Sequence, residues 1–404
     1  MEIDWRRNNS LTSFFYKCDT CELDSEVSIE DFIDKELQKI LKVKAEKLNN
    51  ALIHGNIKFY ESRGFPALQF RKDVGTVESG TVVYFGEKIE VVRGFPKIRR
   101  TLILSPAVEN HFNNKIAVEE KMNGYNVRIA SIDHQIFAFT RGGYVCPFTT
   151  KKTQELMDLD PFFEDNPNLV ICGEMIGTEN PYVSHYYPEI GELGFRIFDV
   201  REKISNQPLT IHEKFELIER YNLPPVRLFG FYDVDKAAME VKRIIKKLGE
   251  EGREGLVIKD VKMEEMPLKY TASQAHDREI RYAFKYPFDF GRAFFFSRVI
   301  REGFQAFEMN ESHEELKERA QRLGESILMP MVQIISHVSQ DNPAAEDLVI
   351  GVDSKDEAEE FVRFLHDLGV NATLIKFKDG KAVIRRIHQA TTDKITNYLK
   401  GGLY

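Results

Sequence analysis

The sequence has few cysteines and no long apolar segment. Only four cysteines occur among 404 residues, at Cys18, Cys21, Cys146 and Cys172, too few for the disulfide scaffold of a secreted protein. No apolar run approaches the roughly 18 to 20 residues that span a bilayer, and the opening segment MEIDWRRNNS lacks the apolar core of a signal peptide. These absences predict a cytoplasmic protein that works in a reducing compartment without membrane association.

The cysteine spacing also argues against a zinc site. Only Cys18 and Cys21 are close in sequence, within YKCDTCEL. A structural zinc ion takes about four ligands, and the chain has no second CxxC motif. Two ordinary thiols are therefore the favoured interpretation, with a metal or redox pair as the alternative.

A general excess of basic residues is absent as well. The formal net charge is −8, which argues against a surface that is basic throughout for contact with nucleic acid. A local basic groove fits this charge, and the segment RGFPKIRR supplies Lys97, Arg99 and Arg100. The cluster KRIIKK at 242–247 lies in a helical pattern and is typical of a solvated helix face.

The length predicts several domains, because a single hydrophobic core rarely grows beyond about 250 to 300 residues. The spacing of apolar residues predicts a helix over 26–50. Short β-branched and aromatic runs, broken by Gly and Pro, then predict strands between 57 and 132. Helices and strands alternate irregularly up to about residue 260, which favours an α+β fold.

The last third of the chain has a different character. Ten of the 26 residues from Tyr282 to Phe307 are aromatic, against 11% in the whole chain, which indicates either internal core or an interface; the interface is favoured. A helical pattern follows, and Pro330 is expected to interrupt it. After residue 341 the order β-α-β-β-α, with a turn at Asp379-Gly380, predicts a small separate α+β domain.

One lysine, Lys121, ends the strand-like segment NKIAVEEK and is followed by Asn-Gly. Residues two apart on a strand face the same side, so Glu119 shares the face of Lys121 and Glu120 points away. The segment MNGYN favours a hairpin between the flanking runs that contain Val118 and Val127. A lysine on a solvated strand face is the ordinary alternative to a functional one.

Further segments carry a polar or aromatic side chain where a strand ends or where glycine lets the backbone approach a ligand. Each alone has an ordinary structural explanation, as core, ion pair or exposed strand end. They are FTRGG with Arg141, LVICGEMIG with Glu174, GFRIFDV with Phe198, REGLVIKD with Glu254 and Lys259, and MPLKYTA with Lys269.

Taken in order, these segments resemble the motifs of the covalent nucleotidyltransferase superfamily of ATP-dependent ligases and GTP-dependent capping enzymes. The matches are KMNG, TRGG, GEMIG, FRIFD, EGLVIK and LKY, within about 121–270. Asn123 replaces the usual Asp of the nucleophile motif, and Asn126 stands where some RNA ligases have Asn. Together with FPKIRR and GRAFFFSRVIREGFQ, these residues are similar to archaeal-type ATP-dependent RNA ligases.

The resemblance implies a multidomain α+β protein whose central adenylation domain is built on antiparallel sheets. It implies the following division: an N-terminal α+β module at 1–93, a nucleotidyltransferase domain at 94–272, a helical dimerisation domain at 273–340 and a C-terminal α+β domain at 341–404. The expected assembly is a homodimer formed through about 282–307.

The resemblance also implies the chemistry: Lys121 takes AMP from ATP, AMP passes to an RNA 5′-phosphate, and a 3′-hydroxyl displaces it. Neighbouring cations and Mg²⁺ are expected to lower the pKa of Lys121. The implied roles are catalysis for Lys121, Glu254, Lys259 and Lys269, Mg²⁺ binding for Glu174 and Glu254, and contacts with ATP or RNA for Glu119, Asn126, Arg141, Glu174, Phe198, Lys97 and Arg100.

Two alternatives stay open at this level. A DNA ligase or a capping enzyme of the same superfamily usually carries a small barrel after the last lysine motif, whereas residues 275–340 here are helical in pattern. A retired, RNA-binding member would have lost a catalytic side chain, yet Lys121, Glu254 and Lys269 are all present.

Overall fold

The computed structural model describes residues 13–16, 25–28, 35–62, 65–86 and 88–403. Cys18 and Cys21 lie outside the described residues, so the expectation of two ordinary thiols there stays a prediction. The described residues combine helices with several mainly antiparallel sheets, which confirms the α+β class.

Strands account for much of the described chain before residue 272 and for part of the C-terminal segment. They are β1 (Ser13–Tyr16), β2 (Ser25–Ser28), β3 (Ile57–Ser62), β4 (Phe65–Phe70), β5 (Val82–Phe85), β6 (Ile89–Val92), β7 (Arg99–Arg100), β8 (Ile116–Lys121), β9 (Tyr125–Ile132), β10 (Gln135–Thr140), β11 (Leu169–Ile176), β12 (Gly194–Glu202), β13 (Leu228–Tyr232), β14 (Gly255–Asp260), β15 (Leu268–Thr271), β16 (Ala345–Gly351), β17 (Ala372–Lys378) and β18 (Lys381–Ile387).

Helices lie between these strands and dominate from residue 273 to 338. They are α1 (Lys35–Leu41), α2 (Ala45–Ile53), α3 (Leu104–His111), α4 (Pro147–Leu156), α5 (Asp160–Asp165), α6 (Ile211–Arg220), α7 (Val234–Glu250), α8 (Ser273–Lys285), α9 (Arg292–Glu308), α10 (His313–Val338), α11 (Lys355–Asp367) and α12 (Gln389–Leu399).

The chain divides into two compact units. The first contains the described residues up to Lys97 together with 126–173 and 199–208, and the second contains 98–125, 174–198 and the described residues from 209 onward. The four-part division expected from the sequence stays a prediction.

In the first unit, helices α1 and α2 share a core with the sheet β3-β4-β5-β6, through buried residues such as Leu37, Leu48, Phe70 and Val83. The single helix expected over 26–50 is wrong, because Ser28 lies in β2 and the helical pattern is divided into α1 and α2. The division follows from Lys42, whose φ of 55° ends α1 in the left-handed region.

The second unit is built on the five-stranded sheet β13-β8-β14-β15-β7. One face of this sheet packs against α3 and α7. The hairpin expected across MNGYN is wrong, because β8 pairs with β13 and β14, whereas β9 belongs to the four-stranded sheet β10-β9-β11-β12. The chain therefore leaves one sheet at Lys121 and enters another at Tyr125 instead of turning back.

Three helices, α8 to α10, follow β15, as the pattern of 275–340 predicted. The interruption expected at Pro330 is wrong: α10 continues through it, and buried Ser326, Ile334 and Val338 anchor the helix on both sides. The aromatic segment from Tyr282 to Phe307, for which the sequence allowed either core or interface, is partly buried and partly exposed. Its first part is core, because Tyr286 is buried with α10 and α12, whereas Phe296 and Phe307 on α9 are exposed.

The C-terminal segment has the predicted order β16-α11-β17-β18-α12. Its three strands form an antiparallel sheet in the order β16-β18-β17. The Asp379-Gly380 turn between β17 and β18 is confirmed, with φ of 52° and 74°, the conformation that a tight hairpin requires at both central positions.

Candidate active site

The alternation of β8 separates a core face of the second unit's sheet from a polar face. Val118 on β8 packs with Leu256 and Ile258 on β14 against α3 and α7. Glu119 is in register with Val257, and Val257 is in register with Lys269 on β15. Residues opposite each other in an antiparallel sheet point to the same side. Glu119, Lys121, Lys259 and Lys269 therefore share the polar face.

Glu254 is the direct partner of Lys121. The Lys121 Nζ donates to Glu254 Oε2 at 2.7 Å, and the two side chains are 23% and 8% exposed. Glu254 directly precedes β14, whose first residue, Gly255, has a φ of 157° and lies in register with Lys121. A Cβ at Gly255 would lie 2.4 Å from the backbone oxygen of Tyr270. Only glycine fits there, beside the carboxylate that meets the lysine.

Acidic neighbours control the charge of Lys121. Burial opposes its charged form, but the carboxylates of Glu254 and Glu174 outweigh burial and hold the pKa of Lys121 above its ordinary value. The lowering that the sequence predicted from neighbouring lysines is therefore wrong, and the lowering predicted from Mg²⁺ stays a prediction. The expected cation, Lys259, has its own carboxylate partner and does not offset the acids around Lys121.

A buried carboxylate, Glu119, joins two lysines on the polar face. Glu119 Oε1 accepts from Lys214 Nζ, and its Oε2 lies 2.8 Å from Lys259 Nζ. All three side chains are at most 2% exposed. Both lysines also donate to the backbone oxygen of Phe198, and Lys259 Nζ lies 6.0 Å from the centroid of the Phe198 ring. The structure thus brings together three of the predicted site residues, namely Glu119, Phe198 and Lys259.

Lys214 is a site residue that the sequence interpretation missed. It lies on α6 between Ile211 and Ile218, and all three are buried. A lysine three residues after one apolar position and four before another lies on the apolar stripe of a helix. That placement was the available signal for a buried, paired lysine.

The segment after Lys121 is fixed by groups that the sequence interpretation also missed. The Asn123 backbone N–H donates to the Tyr187 hydroxyl at 2.7 Å. Burial raises the pKa of Tyr187, so the hydroxyl stays neutral. A Cβ at Gly124 would lie 2.1 Å from the backbone oxygen of Met175, so glycine lets the chain after the lysine pass directly over β11. This close approach explains the Asn-Gly pair, in place of the hairpin turn.

Glu120 points away from Lys121, as the strand periodicity predicted. It accepts from Arg253 Nη1 at 2.7 Å, and Arg253 also pairs with Glu189 at 2.8 Å. Arg253 directly precedes Glu254, so this ion pair anchors the approach to β14 from the side opposite the lysine.

Arg100 lies at the far edge of the same sheet. Strand β7 runs parallel to β15, with Arg100 in register with Lys269. Its Nη1 donates to Thr271 Oγ1 at 2.6 Å, and burial lowers the pKa of Arg100.

Three predicted site residues belong to the first unit. Asn126 has a buried side-chain oxygen without a hydrogen-bond partner among the described residues. Arg141 is exposed beside Gly142, whose backbone oxygen accepts from Gln69 at 2.6 Å. Lys97 pairs with Asp73 at 3.2 Å on the surface. Their predicted contacts with ATP or RNA stay predictions.

Glu174 and Glu254 form a donor set of the kind that suits a hard cation. Both carboxylates act on the charge of Lys121. No group of three or more acidic, His or Cys side chains that could hold a metal by itself occurs in the described chain. Mg²⁺ usually keeps several waters and uses one or two carboxylates with substrate phosphates, so these two residues fit a magnesium ion that arrives with a nucleotide.

None of the helices in the described ranges is both long enough and apolar enough to cross a membrane.

Two family models match the chain. The model described as RNA ligase matches residues 114–271, which contain the polar face, and the model described as the ligase Pab1020 C-terminal region matches 282–402.

The chain is also similar to solved structures and to a curated protein. An archaeal ATP-dependent RNA ligase, form 2, is 57% identical with a TM-score of 0.90 over 93% of this chain and 100% of that one. An Aquifex aeolicus protein, described provisionally as an ATP-dependent DNA ligase, is 27% identical with a TM-score of 0.83 over 89% and 100% of the two chains. Uncharacterized protein MJ0414 of Methanocaldococcus jannaschii is 41% identical over 90% of this chain and 95% of its own.

The triad of Glu119, Lys214 and Lys259 predicts a large stability effect. Lys214→Met removes one of two cations from a fully buried carboxylate, and breaking a buried ion pair costs about 3 to 5 kcal/mol. We expect a matching decrease in the free energy of unfolding, measured by circular dichroism during urea denaturation. The control is Lys355→Met, which breaks the exposed pair with Glu359 and is expected to change little. Equal effects of the two variants would contradict the role of the triad.

Proposed function

We propose that this chain, which belongs to the family of archaeal ATP-dependent RNA ligases, joins RNA ends with 5′-phosphate and 3′-hydroxyl groups by using ATP. The observation that carries the proposal is Lys121 on the polar face of the sheet, 2.7 Å from Glu254, within the segment that matches the RNA ligase model. The shared face of Lys259 and Lys269 supports it.

The reaction proceeds in three displacements at phosphorus. The Lys121 nitrogen attacks the α-phosphorus of ATP; an N–P bond forms, and pyrophosphate leaves with the electron pair of the broken P–O bond. An oxygen of the RNA 5′-phosphate then attacks the lysyl-AMP phosphorus and releases the lysine. Finally the RNA 3′-hydroxyl loses its proton, attacks the activated 5′-phosphorus and releases AMP. Covalent catalysis divides one difficult exchange into easier steps.

Lys121 must lose a proton before it attacks. The carboxylates that raise its pKa keep the amine charged in the free protein, and Glu254 Oε2 is hydrogen-bonded to that amine. Glu254 is thus placed to accept the proton when a nucleotide brings its own charges to the site. Lys259 and Lys269 then offset the negative charge that develops on the α-phosphate.

Mg²⁺ bound by Glu174 and Glu254 would supply Lewis-acid stabilisation of phosphate charge. Phe198, whose ring lies 6.0 Å from Lys259 Nζ, offers a surface on which adenine stacks. Glu119 holds Lys259 in place through their ion pair, and its direct contact with adenine stays a prediction. Arg141, Asn126 and Lys97 are assigned to ATP or RNA by their match to the family motifs.

The alternative functions have less support. A DNA-joining activity has one observation in its favour, the similarity to the Aquifex aeolicus protein, but that similarity is 27% against 57% for the RNA ligase. A retired enzyme is disfavoured because the described chain keeps Lys121, Glu254, Lys259 and Lys269 on or beside one sheet face. We place the activity in the cytoplasm, where buried thiols such as those of Cys146 and Cys172 stay reduced.

The family predicts a homodimer formed through about 282–307. Within that segment, Phe296 and Phe307 are 69% and 80% exposed, and large exposed aromatic side chains on one helix are typical of an interface.

Labelled ATP tests the first step. With Mg²⁺, we expect the protein to acquire label that survives denaturation, and Lys121→Ala to abolish it because no nucleophile remains. Lys115→Ala, which removes an exposed lysine six residues upstream, is the matched control and should label normally. Label retained by the Lys121→Ala variant would contradict the proposed mechanism. Offering 5′-phosphorylated single-stranded RNA and DNA in parallel then decides the substrate.

The raised pKa of Lys121 predicts a pH dependence of lysyl-AMP formation. Only the neutral amine attacks, and a raised pKa reduces the neutral fraction at pH 7. In single-turnover assays the rate should therefore rise between pH 6 and 9, by up to about tenfold per unit, while the lysine remains mostly protonated. Sealing of pre-adenylated RNA does not use the Lys121 amine as a nucleophile and is the control. A flat profile for the first step would contradict the assignment.

Charge on the exposed face of α9 should prevent dimer formation. The double variant Phe296→Glu and Phe307→Glu places carboxylates where apolar contact is expected, so sedimentation velocity should show a dimer for the parent and a monomer for the variant. The exposed Leu403, 94% accessible, provides a control as Leu403→Glu. A parent that sediments only as a monomer would overturn the dimer prediction.

A further inference from the structure

A group of three arginines lies beside the polar face of the sheet, and only Arg100 among them was assigned a contact, with ATP or RNA, from the sequence. Arg298 and Arg301 come from α9, and Arg100 comes from β7. Burial lowers the pKa of each guanidinium, and the positive charge of Arg298 further lowers the pKa values of Arg100 and Arg301. We call these three residues the arginine cluster.

The arginine cluster contains more positive than negative charge. Among the described residues, the cluster forms one close ion pair, between Arg298 Nε and Glu279. Burial opposes ionisation of Glu279, but Arg298, Arg301 and Arg100 outweigh it and hold its pKa below the usual value. Glu254 and Glu302 act on the cluster from a greater distance, and Glu302 is already paired with His276 and Arg319. A purely structural cluster would balance its charges more closely.

Arg301 carries the strongest sign of a missing partner. Its side chain is 7% exposed, its Nε donates to the backbone oxygen of Ser297 at 2.9 Å, and its buried Nη1 has no hydrogen-bond partner among the described residues. A buried guanidinium donor without an acceptor is costly. An anionic acceptor at Nη1 would remove this cost.

Sheet register places the cluster near the nucleophile. Arg100 donates to Thr271 Oγ1, Thr271 is in register with Gly255, and Gly255 is in register with Lys121. Two strand spacings correspond to roughly 10 Å, so Thr271, which accepts from Arg100, lies about that far from Lys121 along the sheet. Glu279, the partner of Arg298, also contributes to the charge environment of Lys121.

The space between the guanidinium groups limits how an anion binds. Arg100 and Arg301 line a cavity of about 10 Å³ with Thr271 and Gln305, which holds about one water molecule and no phosphate. A phosphate would therefore lie on the solvent side of the cluster, where Arg100 and Arg298 are partly exposed, and only one of its oxygens would fit into the cavity beside Arg301. The guanidinium of Arg298 stacks on the Phe294 ring, with Cζ 3.2 Å from the ring centroid, and this stacking fixes its orientation.

We propose that Arg100, Arg298 and Arg301 form a phosphate-binding site that serves the chemistry at Lys121. Planar guanidinium forks bind phosphate oxygens through paired hydrogen bonds. The ligand is either the pyrophosphate released when Lys121 takes AMP or the 5′-phosphate of RNA, which present the same oxyanion chemistry. This proposal rests on the proposed function, and it makes α9 part of the reaction site as well as of the predicted dimer face.

Binding of inorganic pyrophosphate to the full-length, nucleotide-free protein tests the site without relying on activity. Isothermal titration should show binding by the parent and about tenfold weaker binding by Arg301→Gln, the loss expected for charge-assisted hydrogen bonds. Arg301→Lys, which keeps the charge without the fork, should be intermediate. Arg292→Gln removes an exposed arginine from the same helix and should bind like the parent. No binding by the parent, or equal binding by Arg301→Gln, would overturn the site.

Single-turnover assays of the separate steps distinguish the two sources of phosphate. A slower formation of lysyl-AMP in Arg301→Gln, with normal sealing of pre-adenylated RNA, identifies pyrophosphate. Normal formation of lysyl-AMP with slow AMP transfer to 5′-phosphorylated RNA identifies the RNA phosphate. Rates equal to those of Arg292→Gln in every step would refute the proposal. A parent that forms no lysyl-AMP would refute the ligase function instead, while the pyrophosphate titration would still test the cluster.

A folding defect must be separated from loss of the site. Thermal denaturation of Arg301→Gln, compared with Arg292→Gln, reports whether the variant remains folded. If Arg301→Gln unfolds, Arg298→Gln repeats both experiments, because Arg298 is more exposed than Arg301 and its loss leaves Glu279 close to Arg301 and Arg100. The same tenfold loss is expected, and its absence in a folded Arg298→Gln variant would count against the site.

Discussion

The ion triad of Glu119, Lys214 and Lys259 is the constraint on which the polar face depends. An ionised carboxylate on a central strand is tolerated inside a protein only when opposite charges and hydrogen bonds compensate for lost hydration. Two lysines provide that compensation for Glu119, and both lysines also donate to the backbone oxygen of Phe198. The triad thereby fixes α6, β8, β12 and β14 to one another and keeps Lys259 beside the aromatic ring of Phe198.

Strand periodicity explains how one sheet serves both packing and chemistry. Along β8, Val118 packs in the core with α3 and α7, whereas Glu119 and Lys121 emerge on the other side. The core face holds the strands in register, so the polar residues are positioned by packing that they do not join. Glu120 is the exception that supports this account, since it reaches the core side only as the partner of Arg253.

The sequence was sufficient for those features that depend on local periodicity or motif order. It predicted the shared face of Glu119 and Lys121, the Asp379-Gly380 turn and the C-terminal β-α-β-β-α order. Strand parity alone would place Glu254 with Leu256 on the core face. Glu254 instead lies beside Lys121, next to the unusual backbone at Gly255. That backbone conformation cannot be predicted from strand alternation. The sign of the Lys121 pKa shift was missed for a related reason, because it depends on which carboxylates are nearest in three dimensions.

The helices after β15 are coupled to the polar face through buried hydrogen bonds. Thr271, at the end of β15, contacts Arg100 and the Nε2 of His276; the Nδ1 of His276 meets Glu302 on α9, which accepts in turn from Arg319 on α10. Thr271, His276, Glu302 and Arg319 are buried, which makes a half-satisfied arrangement costly. Any change in α9 or α10 that moved Glu302 would therefore disturb Arg100. The helical region is thus part of the framework that orients charge around Lys121, and a predicted dimer contact on α9 would act on the same framework.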